Sequence, residues 1–128
     1  KTKTNINMNL SGNVKFFLEI QSQLKVLHWQ TKSHAKHLAF GETYNVLDDL
    51  IDNFVEIAMG IYGRFKLEEE ETNISIQNLS DIDLLGMIKT VRSSLHQMEI
   101  NPKDTDLLNI KDEILAQVNK LSYLLTLK

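Results

Sequence analysis

Histidine and acidic side chains are concentrated in one stretch of the sequence, from residue 28 to residue 56. Three of the four histidines lie within ten residues of one another. Imidazole together with carboxylate is a ligand set for iron, manganese or zinc rather than for calcium. The stretch therefore indicates transition-metal binding, with a solvated polar helix face as the alternative. The candidate ligands are His28, His34, His37, Glu42, Asp48, Asp49, Asp52 and Glu56.

Other common signatures of catalysis are missing from the sequence. It contains no cysteine, which excludes a disulfide framework, a thiolate zinc site and a cysteine nucleophile. It also contains no glycine-rich phosphate loop, no G-x-S-x-G elbow and no H-E-x-x-H motif. The net charge of −3 over 128 residues argues against nucleic-acid binding by bulk electrostatics. Because we find neither a signal segment nor a membrane-length apolar stretch, we expect a cytoplasmic protein without membrane contact.

The elements that must position these side chains are predicted to be helices. One proline and five glycines leave few helix breakers in 128 residues. We predict a first helix from the N-cap Ser11 to about Gln30, and a second, capped by Ser33, from about His34 to Phe65. Apolar residues at steps of three or four mark one buried face on each. On the second helix this face comprises Phe40, Tyr44, Leu47, Ile51, Phe54, Ala58 and Ile61.

A polar connection that starts with the acidic run 68–71 is predicted as a solvated loop. Ser80 and Asp83 resemble a capping box before a third helix, which Pro102 should end, and Asp104 or Thr105 should cap a fourth. Four amphipathic helices bury their apolar stripes together only as a bundle. The predicted fold class is therefore all-α, with a flexible tail at residues 1–10 and one four-helix bundle domain at residues 11–128.

The candidate ligands of the second helix point away from the predicted core. At about 100° per residue, His37, Asp52 and Glu56 lie roughly 80–180° from the centre of the apolar stripe. A metal site inside the bundle would need ligands on that stripe. These side chains therefore face either water or another subunit.

The segment Leu27-His28-Trp29-Gln30, followed by a helix with spaced histidine and acidic residues, resembles the Dps family of mini-ferritins. In that family a His-Trp pair ends the first helix. The second helix carries a His, an Asp four later, an Asp eleven after that and a Glu four later again. If the connection after His28 is three residues shorter than usual, these positions are His37, Gly41, Asp52 and Glu56.

The resemblance implies a ferritin-like bundle that forms a homo-oligomer, by analogy a dodecamer. It would bind ferrous iron, as a single or di-iron site, and oxidise it with peroxide or oxygen, which gives iron storage and oxidative protection. His28 of one chain and His37, Asp52 and Glu56 of its partner would be the ligands, with zinc or manganese as alternative metals. Trp29 would be an interface or core anchor or would intercept radicals. Glu42 or Asp48 would compensate for Gly41, which stands where an acidic ligand is usual.

The compact sequence, with its ending Tyr123-Leu124-Leu125, looks most like the short Dps-like proteins of phages and other viruses, which would place it in the host cytoplasm. DNA binding is not expected, because only Lys1 and Lys3 remain of the family's lysine-rich tail. Gly41 motivates an alternative, a structural or interaction protein that keeps the bundle and has lost ferroxidase activity. A monomeric adaptor whose acidic face meets a partner protein is a third hypothesis.

Overall fold

The computed structural model describes residues 8–128, and four helices account for most of them. The helices are α1 (Leu10–Gln30), α2 (His34–Tyr62), α3 (Leu84–Gln97) and α4 (Thr105–Leu124). Two single 3₁₀ turns, Glu69–Glu71 and Asp81–Asp83, lie in the long connection between α2 and α3. No strand occurs between residues 8 and 128. The predicted all-α four-helix bundle is confirmed, while most of the predicted tail, including Lys1 and Lys3, lies outside the described residues.

The second helix is the centre of the bundle. It packs along both α1 and α4, and α3 packs mainly on α4. Three phenylalanines from α1 and α2, Phe17, Phe40 and Phe54, are among the largest fully buried side chains. The rings of Phe17 and Phe54 meet edge to face with their centroids 5.3 Å apart, a geometry that aromatic pairs prefer. Burial of each such side chain contributes about 1.5–3 kcal/mol.

The buried face of α2 differs from the predicted stripe at four positions. Ala39 and Thr43 are buried, whereas Tyr44 is half-buried and Ile61 is 46% exposed. The stripe is shifted because α2 contacts both α1 and α4, which widens its buried face towards Ala39 and Thr43. The predicted core was therefore wrong at Tyr44 and Ile61.

Capping residues mark the starts of α1 and α2. The side chain of Asn9 accepts a hydrogen bond from the Gly12 N–H at 3.2 Å, so α1 starts before Ser11 and the predicted Ser11 cap is wrong. Ser33 caps α2 as predicted, because its hydroxyl accepts a hydrogen bond from the Lys36 N–H at 3.2 Å. Because α1 ends at Gln30 and Ser33 caps α2, only the short turn of residues 31–33 separates the two helices.

The second helix ends earlier than predicted, at Tyr62 rather than Phe65. The residue that follows, Gly63, has φ +89°, a left-handed conformation that glycine adopts without a steric cost. The chain then runs through the acidic segment 68–71, whose side chains Glu68, Glu69 and Glu70 are exposed as predicted.

The predicted capping box before α3 is confirmed. The N–H and hydroxyl of Ser80 both donate to Asp83 Oδ2 at 2.9 Å, and these bonds lower the pKa of Asp83 below its usual value. The third helix ends at Gln97 and not at Pro102, because the chain leaves the helical conformation at Met98 and buries Ile100. Within residues 8–128, none of the helices combines the length and the apolar character that crossing a membrane requires.

Candidate functional site

Two histidines that are nine residues apart meet where α1 passes into α2. His28 lies in the last turn of α1, and His37 lies in the first turns of α2. Their imidazole rings are stacked, with the centroids 3.9 Å apart and the planes inclined by 18°. Both side chains are half-buried. The short turn between the helices therefore brings together two of the four ligands that the sequence predicted.

Each histidine of this pair is held by the backbone of the other. His28 Nδ1 lies 2.7 Å from the carbonyl oxygen of His37, and His37 Nδ1 lies 2.8 Å from the carbonyl oxygen of His28. A carbonyl oxygen only accepts hydrogen bonds, so both Nδ1 atoms must donate. In the neutral rings, the remaining nitrogens, Nε2, therefore carry the lone pairs that bind metals. Metal-ligating histidines are commonly oriented by such a bond from the other ring nitrogen.

The third residue of this arrangement is Gly41, one turn after His37 on α2. A Cβ at position 41 would lie 2.9 Å from Cε1 and 3.0 Å from Nδ1 of His28. The missing side chain thus gives the His28 ring access to the His37 carbonyl. An acidic ligand at position 41 does not fit beside His28 in this orientation. The glycine at position 41, where the Dps pattern has an acidic residue, therefore has a steric reason within the chain itself.

The two predicted carboxylate ligands lie far from the histidine pair. Asp52 and Glu56 are exposed on the same continuous helix as His37. A separation of fifteen residues between His37 and Asp52 corresponds to about 22 Å along the helix axis. No group of three or more candidate ligands comes together within residues 8–128. His37 thus lies beside His28 of its own chain and far from Asp52 and Glu56, so the predicted grouping of His37, Asp52 and Glu56 as the ligands from one chain is wrong. A site that uses all four residues would require a second copy of the chain.

The predicted auxiliary carboxylates have other partners. Glu42 Oε1 lies 3.7 Å from Lys120 Nζ, across the contact between α2 and α4. Asp48 Oδ1 accepts a hydrogen bond from Gln21 Nε2 at 2.9 Å. Neither contact involves the histidine pair, so within one chain these carboxylates do not replace the ligand that is missing at Gly41.

The surface beside the histidine pair carries exposed apolar side chains. Trp29 is 68% exposed and Leu38 is 57% exposed, so Trp29 is not a core anchor within one chain. Lys25 Nζ lies 5.6 Å from the centroid of the Trp29 ring and 4.5 Å from that of Tyr44, within cation–π range. His34 is exposed, with its ring centroid 6.5 Å from that of His37.

Sequence reasoning found the two histidines but missed how they are held. Neither the reciprocal carbonyl bonds nor the use of Gly41 followed from residue spacing. A signal was nevertheless present, because a glycine inside a long helix costs about 1 kcal/mol relative to alanine. Such a cost in the first turns of α2 indicates a close approach by another group.

The fold and the site together define an all-α four-helix bundle with a half-buried histidine pair at the first turn. The profile of DUF5856, described as a family of unknown function, matches residues 28–125. The chain belongs to this family. No curated protein and no solved structure matches the chain.

Proposed function

We propose that this chain is a metal-binding bundle subunit of the Dps type, which oxidises ferrous iron at sites shared between two copies. His28 and His37 of one copy supply imidazole nitrogens, and Asp52 and Glu56 of the other supply carboxylate oxygens. The assembly is a homo-oligomer, with a dodecameric shell as its Dps-like form. In that shell the oxidised iron is confined and stored.

The observation that carries this proposal is the orientation of the histidine pair. Both Nδ1 atoms donate to backbone carbonyls, which leaves both Nε2 lone pairs for a divalent transition metal. The exposed Trp29 and Leu38 beside the pair give a second copy an apolar surface to cover. The exposure of Asp52 and Glu56 agrees with carboxylates that serve a neighbouring chain.

The proposed chemistry treats ferrous iron as the substrate. Two ferrous ions each give up one electron, and one hydrogen peroxide takes up both electrons and two protons to become two waters. The hard oxygens of Asp52 and Glu56 would favour the ferric product over the ferrous substrate. The histidines would hold the ion before oxidation, in ring orientations that their carbonyl bonds already fix.

A second candidate function is a structural bundle without redox chemistry. It is favoured by Gly41, which leaves the site without the acidic ligand that is usual in Dps proteins. In this case the histidine pair joins the end of α1 to the start of α2, and its loss would lower stability without changing any metal-dependent activity. The two candidates therefore predict different results for the same variants.

The first experiment measures metal content, ferrous-iron oxidation and oligomer mass on one purified sample. We expect iron to bind, peroxide to convert it to the ferric form, and the mass to exceed 14.7 kDa several-fold. His37→Ala and Asp52→Asn should each abolish oxidation. His96→Ala is the matched control, because His96 is exposed on α3 and distant in sequence from the proposed ligands. Wild-type protein that neither binds nor oxidises iron would leave the structural candidate.

A mixing experiment tests whether the site is shared between chains. One variant carries His28→Ala and His37→Ala, and the other carries Asp52→Asn and Glu56→Gln. Each variant alone should be inactive. Unfolding and reassembling them together should restore part of the activity, because some interfaces combine intact histidines with intact carboxylates. If mixed oligomers form without any recovery, the site is not shared.

A further inference from the structure

Residues 72–80, which connect the two 3₁₀ turns before α3, form neither helix nor strand and are bound to the side of α1. Glu19 Oε2 accepts a hydrogen bond from the Ser75 N–H at 2.8 Å. Gln23 bonds to both backbone groups of Gln77: its Oε1 accepts from the N–H and its Nε2 donates to the carbonyl, each at 2.9 Å. Side chains of α1 therefore hold one edge of this segment.

The spacing of these bonds indicates that the segment is extended. Glu19 and Gln23 are four residues apart on a helix, which corresponds to about 6 Å along the helix axis. Ser75 and Gln77 are two residues apart, and two residues of extended chain cover about 6.6 Å. Because the two rises match, alternate residues of the segment bond to successive turns of α1.

The opposite edge of the segment has free backbone groups. In an extended chain, successive residues direct their N–H and C=O groups to opposite edges, so those of Ile74 and Ile76 point away from the edge that α1 holds. Within residues 8–128, the backbone of neither isoleucine has a hydrogen-bond partner. Their side chains are 39% and 43% exposed and lie on one face of the segment. The segment thus presents an unpaired edge beside two exposed apolar side chains.

This edge lacks the features that usually protect an unpaired strand edge. Proteins block such edges with charged side chains or proline, and residues 72–80 contain neither. The bonds from α1 fix the conformation of the segment in advance, which lowers the entropic cost of adding a partner strand. The edge is therefore suited to β-strand addition, in which an extended peptide pairs with an exposed edge.

The charges at the two ends of the segment restrict its partner. Residues 64–83 carry six acidic and two basic side chains. Within residues 8–128, the run 68–71 makes no ion pair with a basic side chain, whereas Asp81 contacts Lys36 Nζ at 3.4 Å. Two copies paired edge to edge would bring acidic ends together in either orientation, and like charges placed opposite each other are destabilising. A strand with lysine or arginine near its end would instead be attracted.

We propose that the free edge of residues 72–80 binds an extended, basic peptide segment of a partner protein by β-strand addition. The backbone groups of Ile74 and Ile76 pair with the backbone of the peptide. Apolar side chains at every second position of the peptide pack beside the two isoleucines, and its lysines or arginines pair with the run 68–71. This surface uses neither the histidine pair nor the exposed carboxylates of α2, so it is independent of the proposed iron chemistry.

The test titrates the full chain into a fluorescent peptide in which three Thr-Val repeats lie between pairs of lysines. The control peptide has proline in place of each valine, which keeps the charge and removes the N–H donors of those residues. We expect only the Thr-Val peptide to bind, and the amides of Ile74 and Ile76 to exchange hydrogen several-fold more slowly in the complex. The Gln77 amide, which is already bonded to Gln23, should change little.

Two sets of variants separate backbone pairing from charge. Ile76→Pro removes one N–H from the free edge, and the residue before a proline prefers the extended conformation that Ser75 already has. This variant should weaken binding about fivefold, the value of one hydrogen bond, whereas Ile76→Val keeps the N–H and should bind as the wild type does. Glu69→Gln combined with Glu70→Gln should weaken binding about threefold. Glu113→Gln, at an exposed position on α4, is the control for charge.

Several results would overturn the proposal. These are equal binding of the two peptides, binding that does not slow exchange at Ile74 and Ile76, unchanged binding by Ile76→Pro, and unchanged binding by the Glu69→Gln and Glu70→Gln variant. If exchange at Ile74 and Ile76 slowed with rising protein concentration in the absence of peptide, the edge would be covered by a second copy, and the proposal of a basic partner would be wrong.

Discussion

The imidazole of His28 lies directly against the backbone of Gly41, so close that a Cβ at position 41 would come within 2.9 Å of its Cε1 atom. This contact joins the end of α1 to the first turns of α2. The His28 ring is fixed there by its bond to the His37 carbonyl and by stacking on the His37 ring. Positions 28 and 41 are therefore coupled, and changes at one alter the effect of changes at the other.

The first prediction is a non-additive effect of substitutions at these two positions. Gly41→Ala should destabilise the wild type, because the new Cβ displaces His28 from its carbonyl bond. In a His28→Ala background the same change should stabilise by about 1 kcal/mol, the helix-propensity gain of alanine over glycine. The free energies of unfolding of the four variants, measured by urea denaturation, give the coupling directly, and contacting residues couple by about 0.5–3 kcal/mol.

Gly60 provides the control for that cycle. It lies near the end of α2, and a Cβ built there meets nothing within 4 Å. Gly60→Ala should stabilise the protein by about 0.5–1 kcal/mol in both backgrounds. Additive effects at Gly41 as well as at Gly60 would contradict the proposed steric role of Gly41.

The second prediction concerns Thr43, whose buried hydroxyl has no hydrogen-bond partner within residues 8–128. Thr43→Val replaces the hydroxyl with a methyl group of similar size, so it removes a buried polar group without opening a cavity. We expect the free energy of unfolding to rise by about 1 kcal/mol. Thr90→Val is the comparison, because Thr90 is exposed on α3 and surface changes are usually within about 0.5 kcal/mol. If Thr43→Val were instead less stable than the wild type, the Thr43 hydroxyl would have a hydrogen-bond partner in solution.

The third prediction concerns the irregular segment of residues 72–80 that precedes α3. Gln23→Ala removes both bonds to the backbone of Gln77, so the Gln77 amide should exchange its hydrogen several-fold faster. Native-state hydrogen exchange followed by NMR measures this rate. Gln21→Ala is the matched control, since Gln21 is on the same helix and bonds to Asp48 instead. Equal protection of the Gln77 amide in the two variants would mean that Gln23 does not hold this segment.

The fourth prediction is a pH dependence at the start of α4. The hydroxyl of Tyr62 donates to the carboxyl of Asp104, and this hydrogen bond, followed by burial and the negative charges of Asp104 and Asp106, raises the pKa of Tyr62. The unfolded-state pKa is about 10. The stabilising contribution is therefore complete below pH of about 10 and is lost as pH rises through the higher folded-state pKa.

Two measurements check that the pKa of Tyr62 is raised in the folded protein. The absorbance of the phenolate should show that one of the three tyrosines of the wild type ionises above the usual pH of about 10, and this step should be missing from the Tyr62→Phe variant. The stability difference between wild type and Tyr62→Phe should shrink as the pH rises above about 10. Tyr123→Phe, at a 62% exposed position on α4, serves as the control. If the stability difference between wild type and Tyr62→Phe grew as the pH rose above about 10, the raised pKa of Tyr62 would be contradicted.

The helices of this protein were largely predictable from local patterns. Apolar spacing located all four, and the caps at Ser33 and Ser80 were recognised because a capping residue bonds within three positions of itself. Helix ends were less predictable where a distant contact decides them. The third helix stops at Gln97 so that Ile100 can enter the core, and nothing in the local sequence encodes that burial.

The sequence by itself determined the fold class and the presence of candidate ligands, because periodicity and residue type are local properties. Only the tertiary structure decided that His28 and His37 stack, that Gly41 leaves room for them and that Asp52 lies far from both. It also decided that Thr43 is buried without a hydrogen-bond partner among the described residues. Each of these depends on how two or more helices approach one another, which spacing along one helix does not specify.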